Sequence, residues 1–180
     1  PEPDTRVFDF GDIEKVMEGK NRPGHFNGVA QVVSKLFSYI SPNNAYFGQK
    51  DFQQVAVIKQ MTKDLKLDIN IVPCPIIREV DGLAMSSRNM LLSELERKNA
   101  AKISETLIKA CNLVPDFGVS LIKEWVVTEI NSNAYLEVEY FEIVDDTSLQ
   151  SIEKWEDSDS RIACITVQVG KVRLLDNISL

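Results

Sequence analysis

From Asn27 to Ile40 the apolar residues Val29, Val32, Val33, Leu36, Phe37 and Ile40 recur at three- and four-residue spacing, which predicts an amphipathic helix. Ser41-Pro42-Asn43-Asn44 then supplies the turn formers that stop it. A short apolar run, Ala45-Tyr46-Phe47, ends at Gly48 and predicts a strand. Phe52, Val55, Ile58, Met61 and Leu65 return to helical spacing, and Ile69, Ile71 and Val72 predict a second strand. Helix, strand, helix and strand joined by a few residues is the order produced by a parallel sheet with crossover helices. The amino-terminal third therefore reads as α/β.

The pattern changes after Asp81-Gly82. Ser93 and Glu96 have the spacing of a capping box and open a predicted helix to about Cys111, and a further helix is predicted over Val119 to Ile130. Alternating runs at Leu136 to Val144 and Arg161 to Val169, then Val172 to Leu175 after a Gly170 turn, predict a small antiparallel sheet. Helices followed by strands make an α+β unit. The predicted boundary lies near Ile77 to Asp81, dividing the chain into residues 1–78 and 79–180, and no internal repeat or low-complexity stretch interrupts it.

Composition narrows the function classes. The 180 residues are 44% apolar and 26% charged, enough to bury a real core. Pro1 is not a methionine and the opening PEPDTR is polar and turn-like, so the sequence reads as a piece of a longer protein. No run approaches the roughly 18 apolar residues of a membrane helix, and no basic-then-apolar leader is visible. Cys74, Cys111 and Cys164 lack the paired short spacing of a zinc site or redox motif and read as buried or free thiols in a reducing cytoplasm.

A net charge of -7 argues against a nucleic-acid surface, which needs clustered Lys and Arg. The charge is uneven. Residues 137–159 carry nine acids against one base, whereas residues 21–70 carry six bases against three acids, a local bias that suits a small anionic ligand. The acids between Glu137 and Asp159 alternate with apolar residues or lie in a loop, so they read as the wet side of the sheet and not as a metal site.

Three segments carry unusual chemistry for their positions: RPGHFNG at Arg22 to Gly28, FGQKDFQQ at Phe47 to Gln54, and DGLAMSSRN at Asp81 to Asn89. Gly48-Gln49-Lys50-Asp51 falls where a predicted strand ends and a helix begins. Ligands of open α/β sheets sit there, the first amides of the helix favour an anion, and Lys50 adds a mobile positive charge. The alternative for Asp51 is an ordinary helix N-cap. Met85-Ser86-Ser87-Arg88 sets two hydroxyls and a permanent cation after an Asp-Gly turn, a combination that suits phosphate oxygens; its alternative is a solvated turn. His25 is the only histidine, too few for a histidine-based metal site or a paired-histidine nucleotide motif. Gln54, three residues beyond Asp51, points either into the same crevice or to solvent.

Taken in order, RPGHFNGV, YFGQKDFQQ and REVDGLAMSSRNMLL, with the closing VRLLDN, resemble the corresponding blocks of pantothenate synthetases over essentially the whole chain. The resemblance implies an adenylate-forming ligase. Its fold would be α/β: the latter part of a Rossmann-like nucleotidyltransferase domain, followed by a small α+β domain that closes over the active site. It implies ATP and Mg²⁺, the substrates pantoate and β-alanine, and a homodimer for the full-length enzyme. By matching position, Gly48, Gln49, Lys50 and Asp51 would line the ATP site, with Lys50 at the phosphates and Asp51 near the ribose. Ile77 would touch the adenine through its backbone, Met85, Ser86, Ser87 and Arg88 would clamp the triphosphate, and Gln54 would hydrogen-bond pantoate. Lys50 and Arg88 are the expected catalytic pair. Position 49 is often acidic in the family, so Gln49 implies a contact through its backbone. The family's His-x-Gly-His motif is expected upstream of Pro1, which would leave this chain alone nearly inactive. The competing readings are a different nucleotidyltransferase and a stand-alone nucleotide-binding module without catalysis; Gln54 favours a small carboxylate over a phosphorylated acceptor.

Overall fold

The computed structural model describes residues 4–180; residues 1–3, the start of the PEPDTR opening, lie outside the described residues. The chain folds as two compact units, Pro1–Pro75 with Thr147–Gln150, and Ile76–Asp146 with Ser151–Leu180. Among the described residues no helix is long and apolar enough to cross a membrane.

The first unit contains α1 (Met17–Asn21), α2 (His25–Ile40), β1 (Asn44–Gly48), α3 (Phe52–Asp64) and β2 (Asn70–Cys74). β1 and β2 pair in parallel from Asn44 opposite Asn70 to Gly48 opposite Cys74, so their carboxyl ends finish side by side. Helix α2 begins two residues before the apolar pattern does. Gly24 enters it with φ 78, a left-handed conformation that a residue without a Cβ adopts at little cost.

Of the residues that the spacing selects on α2, Phe37 is buried and Val29 and Val33 pack against the core. Phe26, Ala30 and Phe37 join Phe10, Val57, Ile58 and Met61 in the core, whereas Val32, Leu36 and Ile40 stay exposed. The apolar surface of α2 is wider than one buried face, and the side that carries Phe26 and Phe37 goes inward because it removes more surface from water.

A 3-10 turn at Gly11–Glu14 and the short helix α1 are too brief for periodicity to reveal. They are held by a side chain. Gln53, buried in the first turn of α3, accepts from the Glu18 N–H at 2.9 Å and donates to the carbonyls of Ile13 and Val16 at 2.6 and 2.9 Å. This one amide serves three backbone groups; the Val16 carbonyl also accepts from the Lys20 N–H at 3.2 Å, whereas the Glu18 N–H and the Ile13 carbonyl are met by Gln53.

The second unit contains α4 (Glu94–Ala100), α5 (Lys102–Leu113), α6 (Val119–Asn131), β3 (Leu136–Asp145), β4 (Arg161–Val169) and β5 (Val172–Ser179). The strands form an antiparallel sheet in the order β3-β4-β5. The capping box is present: Ser93 Oγ accepts from the Glu96 N–H, and the Glu96 carboxylate accepts from the Ser93 N–H. The helix predicted to run unbroken to Cys111 is interrupted at Ala101 and continues to Leu113. The Ala101 carbonyl accepts both from Ser104 Oγ at 3.1 Å and from the Glu105 N–H at 3.2 Å, so the ladder resumes directly after the break. Ile103, Leu107, Ile122, Val126 and Ile130 of the helices pack with Phe141, Ile143, Ile165 and Val167 of the sheet. The central strand β4 buries Ile162 to Val167 without alternation. Four of the nine acids of the 137–159 region pair off: Glu142 with Lys123, Glu139 with Arg173, and Asp145 and Asp146 with serine hydroxyls.

Candidate active site

In the first unit the chain leaves β1 at Gly48, makes a 3-10 turn through Gln49–Asp51 and enters α3 at Phe52. A parallel pairing brings the carboxyl ends of β1 and β2 together, and the crevice off such ends is the ligand entrance of open α/β sheets. A Cβ on Gly48 would meet nothing within 4 Å, so the backbone here is open to a ligand's approach. Gln49 and Lys50 are half-buried and Asp51 is exposed. Asp51 holds the N-cap position of α3, but its side chain makes no capping hydrogen bond. The N-cap alternative is therefore not realised. The first amides of α3 are not capped by a side chain, and a helix start of this kind favours anions.

One residue beyond Gln53, and about 100° further round α3, Gln54 lines an open groove of about 600 Å³ with Gly24, His25, Gly28, Val29, Val32 and Val33. The adjacent glutamines thus divide their roles: Gln53 holds the protein's own backbone, while Gln54 faces the groove. The walls are mainly apolar with one amide, which suits a small molecule that has both methyl groups and hydrogen-bonding groups. Val32, exposed on the surface of α2, belongs to this wall. At the groove's rim the His25 ring tilts over Phe26 at 5.1 Å, and its Nε2 lies 3.1 Å from Arg22 Nη1. A guanidinium can only donate, so the imidazole accepts at Nε2 and carries its proton on Nδ1.

In the second unit residues 77–85 form a narrow hairpin. Met85 N donates to the Ile77 carbonyl at 2.9 Å, Glu79 N to the Leu83 carbonyl at 2.8 Å, and Arg78 and Ala84 face each other as a bridge. The turn passes through Gly82 at φ 89, where a Cβ would also come within 3.0 Å of Ser104 Oγ. Leu83 and Ala84 are buried, and then Met85, Ser87 and Arg88 emerge to solvent with Ser86 half-buried between them. Ser86 Oγ accepts from the Arg88 N–H at 3.2 Å and opens the 3-10 turn Ser87–Leu91, so the turn-forming reading is correct for that one hydroxyl. Arg88 Nη1 donates to the Arg173 carbonyl at 3.2 Å. Ile77 is exposed, and its carbonyl, which accepts from Met85 N, has a second lone pair.

Sequence reasoning missed the groups that hold this hairpin. Arg78 pairs with the buried Asp176, and Arg97 pairs with Asp81 and Glu79. The Arg97 guanidinium holds the Asp81 carboxyl below its ordinary range, and the same contact raises Arg97. The signal lay one residue beyond the predicted strand: Val172, Leu174 and Asp176 alternate on one face of β5, and an acid at an inward position demands a cation.

A parallel strand pair with crossover helices, a polar string at its carboxyl ends and an appended antiparallel α+β unit define an α/β protein of the nucleotidyltransferase-like class. The family model for pantoate-beta-alanine ligase matches residues 3–179, and the chain belongs to that family. A pantothenate synthetase from Porphyromonas gingivalis is 57% identical over 178 residues, covering 99% of this chain and 63% of the relative. One from Caldicellulosiruptor bescii is 49% identical over 184 residues, covering 99% of this chain and 63% of that relative. The crystal structure of pantothenate synthetase from Thermus thermophilus matches with a TM-score of 0.91 at 34% identity, covering 97% of this chain and 63% of that one. A pantoate-beta-alanine ligase from Francisella tularensis, complexed with beta-gamma ATP and beta-alanine, matches with a TM-score of 0.72 at 31% identity, covering 97% of this chain and 57% of that one. The chain thus spans about 63% of the length of the curated relatives it matches.

Proposed function

We propose that this chain carries ATP- and pantoate-binding parts of an enzyme that condenses pantoate with β-alanine to give pantothenate, AMP and pyrophosphate. The observation that carries the reading is the corner of the first unit. There a lysine and an uncapped aspartate stand at the carboxyl end of β1, and Gln54 one turn later faces an apolar-walled groove of about 600 Å³. The corner suits a nucleotide and the groove a small branched hydroxy acid. We assign Gly48, Gln49, Lys50 and Asp51 to ATP, with Asp51 at the ribose. Gln54 goes to pantoate, Ile77 to the adenine through its backbone, and Met85, Ser86, Ser87 and Arg88 to the triphosphate.

In the first step a carboxylate oxygen of pantoate attacks the α-phosphorus of ATP. The α–β phosphoanhydride bond breaks and pyrophosphate leaves, giving pantoyl adenylate. In the second step the β-alanine amine attacks the acyl carbon, the acyl–oxygen bond to AMP breaks, and the nitrogen releases a proton. Neither step needs a covalent enzyme intermediate; both need alignment and neutralised phosphate charge. Lys50 and Arg88 supply the charge. Among the described residues no three His, Cys, Asp or Glu side chains converge as a metal cage. Mg²⁺ would enter on the oxygens of the triphosphate, as this ion commonly does, and no step here is routed through it. A cytoplasmic homodimer completes the proposal for the protein at its natural length.

The test is pantoate-dependent exchange of labelled pyrophosphate into ATP, without β-alanine, in the protein at its natural length. Exchange supports adenylation. ATP binding without exchange would move the assignment to another nucleotidyltransferase or to a binding module.

A further inference from the structure

We propose that Arg78, Asp176 and Asn89 are positioning residues for the Met85–Arg88 loop, acting on the nucleotide only through the loop they hold. The inference rests on the reading of that loop as a phosphate clamp.

Arg78 makes four hydrogen bonds. Nη1 donates to Asp176 Oδ2 at 2.7 Å and to the Gly82 carbonyl at 3.1 Å; Nη2 donates to Asp176 Oδ1 at 3.0 Å and to the Asn177 carbonyl at 3.2 Å. The Asp176 side chain is 2% exposed on β5, inside the packed sheet. One fork therefore grips a rigid strand and the turn of the hairpin together, which an ammonium group cannot do in the same plane. The pair costs desolvation, so its net worth to folding is small; its geometric worth is that it fixes where the hairpin sits on the sheet.

Asn89 fixes the other end. It is 7% exposed, and its Nδ2 donates to Glu79 Oε1 at 2.9 Å and to the Ala84 carbonyl at 3.1 Å, one bond to each strand of the hairpin. Its Oδ1 has no partner among the described residues. A buried acceptor left unmatched is unfavourable, so the amide is retained for what its two donors do. Between the buried Ala84 and Asn89 the chain has only Met85, Ser86, Ser87 and Arg88. Both ends are pinned, which leaves the two hydroxyls and the guanidinium little freedom. Such preorganisation is what a site for a spread of phosphate charge requires.

The experiment compares four variants in the protein at its natural length, reading the thermal midpoint, the KM values for ATP and pantoate, and kcat. Arg78→Met with Asp176→Leu replaces the buried pair by apolar side chains of similar size, which preserves folding where Arg78→Ala would strand a buried carboxylate. Arg78→Lys keeps the charge and loses the fork. Asn89→Ala releases the second anchor, and Arg88→Ala tests the loop itself. The expected result is a thermal midpoint close to wild type for the double variant and Arg78→Lys. In these two and in Asn89→Ala the KM for ATP rises by about tenfold to a hundredfold, the scale of a misplaced binding group, while the KM for pantoate stays within twofold. If ATP KM in all three stays within twofold of wild type while Arg88→Ala raises it, the positioning role is wrong and the phosphate clamp stands. If Arg88→Ala also leaves ATP binding unchanged, the clamp reading fails and this inference fails with it.

Discussion

The Gly48–Asp51 corner and the Met85–Arg88 loop carry similar cargo in the sequence, a short polar string with one cation, yet they are held by different means. At the corner, position comes from the backbone. Two parallel strands end together, a 3-10 turn follows, and α3 begins; the Asp51 side chain is not used as a cap and Gly48 leaves open space. The loop, by contrast, is held by side chains far away in sequence, with Arg78 reaching Asp176 across 98 positions. The contrast predicts that the corner is sensitive mainly to its own residues, whereas the loop is also sensitive to residues that never meet a ligand.

The largest effects should come from the two cations. Lys50→Ala and Arg88→Ala are each expected to slow pyrophosphate exchange by about a hundredfold to a thousandfold, the range for losing one group that stabilises developing charge. Their thermal midpoints should barely move. A rate within a few-fold of normal for either would remove that residue from the chemistry.

The neighbouring glutamines give the next test, because the structure assigns them opposite roles. Gln53→Ala removes the side-chain partner of the Glu18 N–H and the Ile13 carbonyl, while the Val16 carbonyl keeps the Lys20 N–H, and a loss of roughly 1–3 kcal/mol is expected in denaturant unfolding. Gln54→Ala should leave stability unchanged and raise the KM for pantoate about tenfold, the worth of one good hydrogen bond. Exchanged phenotypes would mean that the register of α3 is misassigned.

The smallest effect is electrostatic. Asp81 titrates below its ordinary 3.8 because Arg97 donates to it. A carboxyl with a depressed folded value contributes stability that is present above 3.8 and lost as pH falls through the lower folded value. Asp81 is 41% exposed, so solvent screening limits the contribution to at most about 0.5–1 kcal/mol. Asp81→Asn should therefore lower stability slightly at pH 7 and by progressively less as pH falls below 3.8, and a loss that does not change with pH would place the effect in the turn's backbone.

Much of the fold was legible because its elements are long enough to show a period. The parallel order of β1 and β2, the capping box at Ser93 and the antiparallel sheet all follow from spacing. What stayed hidden depends on which of two equivalent patterns tertiary packing chooses. The apolar pattern of α2 includes Phe37, which goes inward, but nothing local says that Phe26 joins it while Val32 faces a groove. The candidate site stands in the sequence as three polar strings. Their supports were not legible, since a side chain such as Arg78 selects its partner only after β5 has been placed. Asp176 lay one residue beyond the strand predicted over Val172 to Leu175, and its inward position follows only from β5 reaching Ser179.

The bonds made by Gln53 also carry a temporal consequence. They join groups 35 to 40 positions apart, so the entropy of closing that span is spent before any of the three bonds is gained. The segment from Gly11 to Asn21 has only a 3-10 turn and one short helix of its own, too brief to stand alone in water, and Gln53 ties it to α3. It should be among the last parts of the first unit to settle and the first to open. Its amides should exchange with solvent at lower free energy than those of α3, and Gln53→Ala should steepen the loss of native protein by faster unfolding while the refolding rate is little changed.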